Sequence, residues 1–240
     1  MLEILFQDEN LIAINKPSGL LVHKSLIDKR ETKFAVQMLR DQIGQYVYPL
    51  HRLDKPTSGV LLFALSKEMA IMMSEIIQDR RTKKEYIAVT RGITDKRGDI
   101  NYALKEIHDK MTDSKAKQDK DAQEAITEYQ RLASIELPFA VGKYKTARYS
   151  LLKLKPHTGR KHQLRRHMKH IFHPIVGDTT HGDLRHTKFF RKQYDSHRLL
   201  LHAFKLSFKH PLTDKEIIIK ASFDETFEKL FKEFNWNEPF

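Results

Sequence analysis

Short apolar runs separated by polar, turn-like clusters set the first part of the chain. Residues 2–6 and 11–14 are two such runs, joined by Gln7-Asp8-Glu9-Asn10, and they predict a β-hairpin. Asn15-Lys16-Pro17-Ser18-Gly19 then interrupts the strand. Apolar side chains at Phe34, Val36, Leu39 and Ile43 predict a helix over 33–43 that stops at Gly44. Residues 59–65 form an unbroken apolar run after a glycine, the pattern of a strand covered on both faces. Over 67–79, Met69, Met72, Met73, Ile76 and Ile77 recur at helical spacing. That stripe reads as core rather than cofactor pocket.

Further along, 84–91, 126–137, 148–156, 198–208 and 216–221 predict strands. Residues 161–172 (Leu164, Met168, Ile171) and 224–234 (Phe227, Leu230, Phe231, Phe234) predict helices. The segment 105–123 is the most charged and least periodic, and reads as an exposed loop or weakly ordered insertion. Strands mixed with helices, without regular βαβ alternation, predict an α+β fold with a largely antiparallel sheet. No repeat or composition break divides the chain, so 1–240 is expected to form one domain that the charged loop interrupts.

Charge narrows the class of partner. The chain has 43 Lys and Arg against 31 Asp and Glu, a formal net charge of +12. Such a balance suits a polyanionic partner, although a solvated basic surface produces the same count. The absence of cysteine excludes disulfides, thiolate nucleophiles, iron–sulfur clusters and cysteine-based zinc sites. No apolar run approaches the ~20 residues of a membrane helix. The N-terminus lacks a basic segment followed by an apolar one, so the expected compartment is the cytoplasm.

Three segments could carry chemistry. In His51-Arg52-Leu53-Asp54-Lys55-Pro56-Thr57-Ser58-Gly59, Asp54 sits in a turn that leads into the apolar strand. An aspartate there commonly just accepts backbone hydrogen bonds. The extended residue before Pro56 and the rigid strand would also support a reactive carboxylate. Lys83-Lys84-Glu85-Tyr86 is either a basic strand edge or an aromatic platform for a nucleobase. Thr158-Gly159-Arg160-Lys161-His162-Gln163-Leu164-Arg165-Arg166-His167 opens a helix with its basic side chains turned away from the apolar stripe. His162, His167, His170 and His173 are crowded, but their spacings of five, three and three do not match a paired-histidine zinc helix, and no acidic ligand lies among them. No metal is expected.

Taken in order, HRLDKPTSG, the KxY element and TGRKHQLRRH resemble the pseudouridine synthases of the RluA family. INKPSGLLVH at 14–23, VGD at 176–178 and RLLLHA at 198–203 fit the same pattern, so the resemblance spans roughly residues 1–220. It implies the pseudouridine synthase fold, with a mixed, mostly antiparallel sheet flanked by helices and an active-site cleft across it, and no added S4-like domain before it. It implies an enzyme that detaches the base of a uridine, turns it and rejoins it through carbon 5, using no cofactor. Within the family, IGQYVYPLHRLDKPTSG and HPIVGDTTHGDLR resemble a branch acting on the uridine at position 65 of tRNA. The resemblance assigns Asp54 as the catalytic carboxylate, Arg165 as its partner and Tyr86 as the residue stacked on the base. Arg52 would enter the space left by the flipped nucleotide. Lys16, Arg160, His162 and Arg166 are expected on the RNA. The partner is expected to be tRNA, with ribosomal RNA as the alternative substrate and an inert RNA-binding protein as the alternative function. A monomer is expected.

Overall fold

The computed structural model describes residues 1–24, 31–106 and 121–239. One ten-stranded sheet organises it. Strands β1 (Glu3–Gln7), β2 (Leu11–Lys16), β3 (Tyr48–Pro49), β4 (Ser58–Ala64), β5 (Lys83–Arg91), β6 (Arg97–Asn101), β7 (Ile126–Leu137), β8 (Ala147–Pro156), β9 (Leu201–Lys209) and β10 (Glu216–Lys220) are joined by helices α1 (Ala35–Ile43), α2 (Lys67–Gln78), α3 (Gln163–His170), α4 (Leu184–Tyr194) and α5 (Glu225–Glu233). The strand order is β1-β2-β4-β9-β5-β8-β7-β6, with β10 beside β9 and β3 beside β4. Every pairing is antiparallel except β4 with β9. This is the expected α+β architecture.

The apolar run of β4 is buried throughout because both faces of the sheet are covered there. Leu61 and Phe63 join Ile12 and Ile14 against Ala35 and Leu39 of α1. Val60, Leu62 and Ala64 turn the other way, against Met69, Met73 and Ile76 of α2. The methionine stripe is therefore core, as its spacing predicts. In the other half, Ile87, Val89, Tyr149 and Leu151 pack on Phe190 of α4 and on Phe227, Leu230 and Phe231 of α5. Ala88, Leu152 and Leu154 pack on Leu164 and Met168 of α3. Tyr86 borders both the α1 and the α3 clusters, so these two helices share one face, and the candidate residues lie between them.

The hairpin, the first two helices and the strands at 126–137 and 216–221 stand where the pattern puts them, within one or two residues. Gly44 caps α1 at φ 69°, in the left-handed region that glycine adopts without strain. Three elements were not anticipated. Strand β6 buries only Ile100, and its polar residues are strand because β7 pairs with them. Helix α4 carries four Lys or Arg and no acidic residue among its 11 positions, with Thr187, Phe190 and Tyr194 buried, and Asp183 caps it by accepting from the Arg185 N–H at 3.0 Å. The two-residue β3 is too short to leave a pattern.

The expected charged loop at 105–123 falls largely outside the described residues. Its flanks are joined by reciprocal backbone hydrogen bonds between Leu104 and Gln123 of 2.8 and 3.0 Å. Among the described residues, no helix is long and apolar enough to cross a membrane.

Candidate active site

Asp54 stands in the tight turn that feeds β4. Its carbonyl accepts the Thr57 N–H at 2.9 Å. The next two carbonyls are held from the turn that follows β2: Lys55 O accepts from Gly19 N at 2.8 Å, and Pro56 O from the Ser18 hydroxyl at 2.8 Å. Gly59 then passes against β9. Its φ is +108°, and a Cβ there would lie 2.2 Å from the Ala203 carbonyl oxygen. Only glycine lets the two parallel strands approach this closely.

Lys16, expected on the RNA, is instead fully buried. Its ammonium donates to the carbonyls of Pro17 at 2.9 Å, Leu20 at 2.7 Å and Lys55 at 3.1 Å. An amine with all three N–H groups on backbone carbonyls pins the Asp54 turn from beneath and is not placed to meet a phosphate. Burial, with Arg198 nearby, lowers its pKa to about 7, while Asp54 works in the opposite direction.

The TGRKHQLRRH segment sets the other wall. The Thr158 hydroxyl and the buried Gln163 amide bond to each other at 2.7 Å. Both also hold the start of β7: Thr158 accepts the Ile126 N–H, and Gln163 donates to Ile126 O and Thr127 Oγ1. His162 enters α3 with φ 55°. One turn on, Arg165 is 5 % exposed and its guanidinium reaches two carboxylates. Nη1 donates to Asp54 Oδ2 at 3.0 Å, Nε to Asp178 Oδ2 at 2.7 Å and Nη2 to Asp178 Oδ1 at 2.8 Å.

The sequence offers VGD as a motif but does not single out Asp178 as a functional residue. Val176 is stitched between Val89 O and Leu200 N at 2.9 Å each. Gly177, at φ +81°, runs so close to the Arg198 carbonyl that a Cβ would lie 1.9 Å from its oxygen. The buried Asp178 carboxylate also accepts the backbone N–H groups of Thr180 and His181, each at 2.9 Å. Burial favours the neutral acid, but Arg165 and these N–H groups outweigh it and hold the pKa below the usual range. For Arg165, burial likewise opposes the charge, and Asp178 and then Asp54 overcome it.

Tyr86 borders the same space. Burial, reinforced by the Asp54 charge, raises its phenol pKa, so the hydroxyl stays protonated at neutral pH. His162 lies closer to the centre than an RNA contact needs, with Nε2 3.8 Å from Asp54 Oδ2 and Nδ1 2.9 Å from His181 Nε2. Arg52, two residues before Asp54 in the chain, is exposed. Arg160 and Arg166 donate to Glu124 O at 3.1 Å and Lys105 O at 2.9 Å, so both reach the flanks of the charged segment. Among the described residues, no group of three or more His, Cys, Asp or Glu could hold a metal ion. Asp54, Tyr86 and Arg165 thus come together from three segments: a partly exposed carboxylate, a phenol and a buried cation.

Comparison with known proteins identifies the family. A family profile described as RNA pseudouridylate synthase matches residues 10–170. A tRNA pseudouridine synthase C from Vibrio parahaemolyticus is 56% identical over 237 residues, 99% of this chain and 96% of that protein. One from Haemophilus ducreyi is 55% identical over 236 residues, covering 98% and 97%. The solved structure of human RNA pseudouridylate synthase domain containing 4 superposes with a TM-score of 0.72 at 28% identity, over 99% of this chain and 94% of that one. The human domain containing 1 protein shares the fold, with a TM-score of 0.69 at 23% identity. On these grounds the chain belongs to the RNA pseudouridylate synthase family.

Proposed function

We propose that the protein isomerises a uridine of tRNA to pseudouridine, at position 65, with Asp54 as the catalytic carboxylate. The observation that carries this reading is the sharing of one buried guanidinium between Asp178 and the accessible Asp54. A pair at 3.0 Å contributes about 5.5 kcal/mol at an effective dielectric near 20, before desolvation. The guanidinium supplies the countercharge that a carboxylate beside a partly apolar base needs. A protein that only bound RNA would gain nothing from an anion facing a polyanion.

The target base must leave its stack to reach Asp54, at a cost of a few kcal/mol. Tyr86 supplies a face for the extracted base, and its phenol faces the reacting sugar. Arg52, whose planar fork suits both phosphate and exposed base faces, fills the vacated place. The remaining basic surface, including Arg160 and Arg166, supplies salt-sensitive affinity. The names of the relatives support tRNA as substrate, and we place the reaction in the cytoplasm.

The test uses unmodified tRNA transcripts with wild type and Asp54→Asn, followed by carbodiimide treatment and primer extension. A stop at position 65 with wild type only is the expected outcome. A stop on ribosomal RNA fragments alone would overturn the substrate, and modification of neither RNA would overturn the activity.

A further inference from the structure

The mechanism above uses Asp54, Tyr86 and Arg165, and leaves the two histidines beside them without a task. His162 Nε2 faces Asp54 Oδ2 at 3.8 Å, and His162 Nδ1 is hydrogen-bonded to His181 Nε2 at 2.9 Å. The rings meet edge to face, with centroids 5.2 Å apart. His181 is half-buried, so the far end of the pair reaches solvent. The three groups therefore form a line from the catalytic carboxylate outward. We propose that His162 and His181 form a proton relay between Asp54 and solvent, an inference that rests on Asp54 being the catalytic carboxylate.

The reaction creates the need. Moving C1′ from N1 to C5 breaks the C1′–N1 bond, with its electron pair left on N1, and forms the C1′–C5 bond. The C5–H bond must then break, its electrons returning to the ring and its proton leaving. One proton departs from C5 and one arrives at N1, so none is gained or lost overall. If the Asp54 carboxylate takes the C5 proton, it must shed it before the next turnover. Arg165 cannot accept it, because a guanidinium has no lone pair to offer.

The histidine pair can. Asp54 O–H passes its proton to His162 Nε2, His162 Nδ1–H passes one to His181 Nε2, and His181 Nδ1–H releases one to water. Solvent returns a proton to N1, and exchange of ring protons with water returns both histidines to the Nδ1–H tautomer before the next turnover. The first step requires the 3.8 Å separation to close by about 0.9 Å to hydrogen-bond length, which is within reach of a side-chain rotation.

The relay also needs both rings neutral, with a free lone pair. Burial lowers His162, and Arg165 and Lys161 add to this against the opposing charges of Asp54 and Asp178. Burial lowers His181 to about 4, with Arg165, His162 and Lys169 acting in the same sense against Asp178. A neutral ring whose nitrogens point at a carboxylate and at another imidazole is poorly suited to grip phosphate. It is well suited to hand protons along.

The test is single-turnover kinetics on tRNA transcripts containing uridine or 5-deuterouridine. For His162→Gln, which keeps polar bulk but cannot shuttle, the rate is expected to fall roughly 10- to 100-fold. The deuterium effect should rise as removal of the C5 proton becomes limiting. The tRNA Kd should stay within about twofold, and added imidazole should restore part of the rate. His181→Gln, at a more accessible position, carries the same expectation if His162→Gln does not fold. An unchanged rate and isotope effect in both variants would overturn the relay. So would a loss confined to Kd, which marks an RNA contact. Activity in Asp54→Asn would overturn the reading of Asp54 beneath it, separately from the histidines.

Discussion

Arg165 holds two aspartates by different means, and this makes Asp54→Asn and Asp178→Asn a matched pair of perturbations. Asp178 is 1 % exposed and accepts two guanidinium N–H groups and two backbone N–H groups. Replacing it with asparagine puts an amide N–H₂ where an acceptor is required and leaves a buried cation short of charge. Removing one partner of a buried pair costs about 3–5 kcal/mol. At the lower end, about 3 kcal/mol shifts the Tm of a chain this size by roughly 6 °C. Asp54 takes one guanidinium N–H, and its side chain is 24 % exposed. Arg165 keeps both bonds to Asp178 when Asp54 is neutralised, so the stability cost of Asp54→Asn is about 1 kcal/mol or less. Turnover should nevertheless vanish in Asp54→Asn. The Asp178 carboxyl is held below its unfolded pKa, so its contribution is full at pH 7. That contribution declines as pH falls below about 4, toward the depressed folded value. Urea unfolding of both variants at pH 7 and pH 3, beside single-turnover assays, measures each part. Equal stability losses in the two variants, or no loss in Asp178→Asn, would refute the division into a structural and a reactive carboxylate.

Three further outcomes follow from the same geometry. Tyr86→Phe should bind tRNA with unchanged affinity and turn over more slowly in a single-turnover assay, because it keeps the ring and loses the phenol; a full rate would leave the hydroxyl without a role. Gly59→Ala places a methyl 2.2 Å from the Ala203 carbonyl oxygen at φ +108°, and should destabilise by more than about 2 kcal/mol in urea unfolding. Because the folded pKa of Lys16 is lowered to about 7, the unfolded chain binds more protons between about pH 7 and 10.4, and stability rises with pH across that window. Lys16→Met should flatten that part of the slope, as read from urea midpoints at pH 7 and 9.

Much of this molecule is legible in the pattern of its residues. The hairpin, the fully covered β4, the methionine face of α2 and the aromatic face of α5 follow from periodicity, because burial on one or two faces dictates where apolar residues recur. The motifs around Asp54, Tyr86 and Arg165 are each local and readable in order. What the linear chain did not show is how side chains divide their partners across it. Lys16 looks like a surface cation until three carbonyls from two loops close around its ammonium. Asp178 looks like a turn residue until Gly177 is squeezed against Arg198 and turns its carboxylate onto a helix 13 residues back. Strand β6 is too polar to announce itself and exists through its neighbour. His162 reads as one basic residue among many, and folding puts it in line with Asp54 and His181. Local sequence sets propensity and pattern, whereas the pairing of charges and donors depends on which distant segments meet. That was decided when the sheet closed β4 onto β9 and brought α3 over the Asp54 turn.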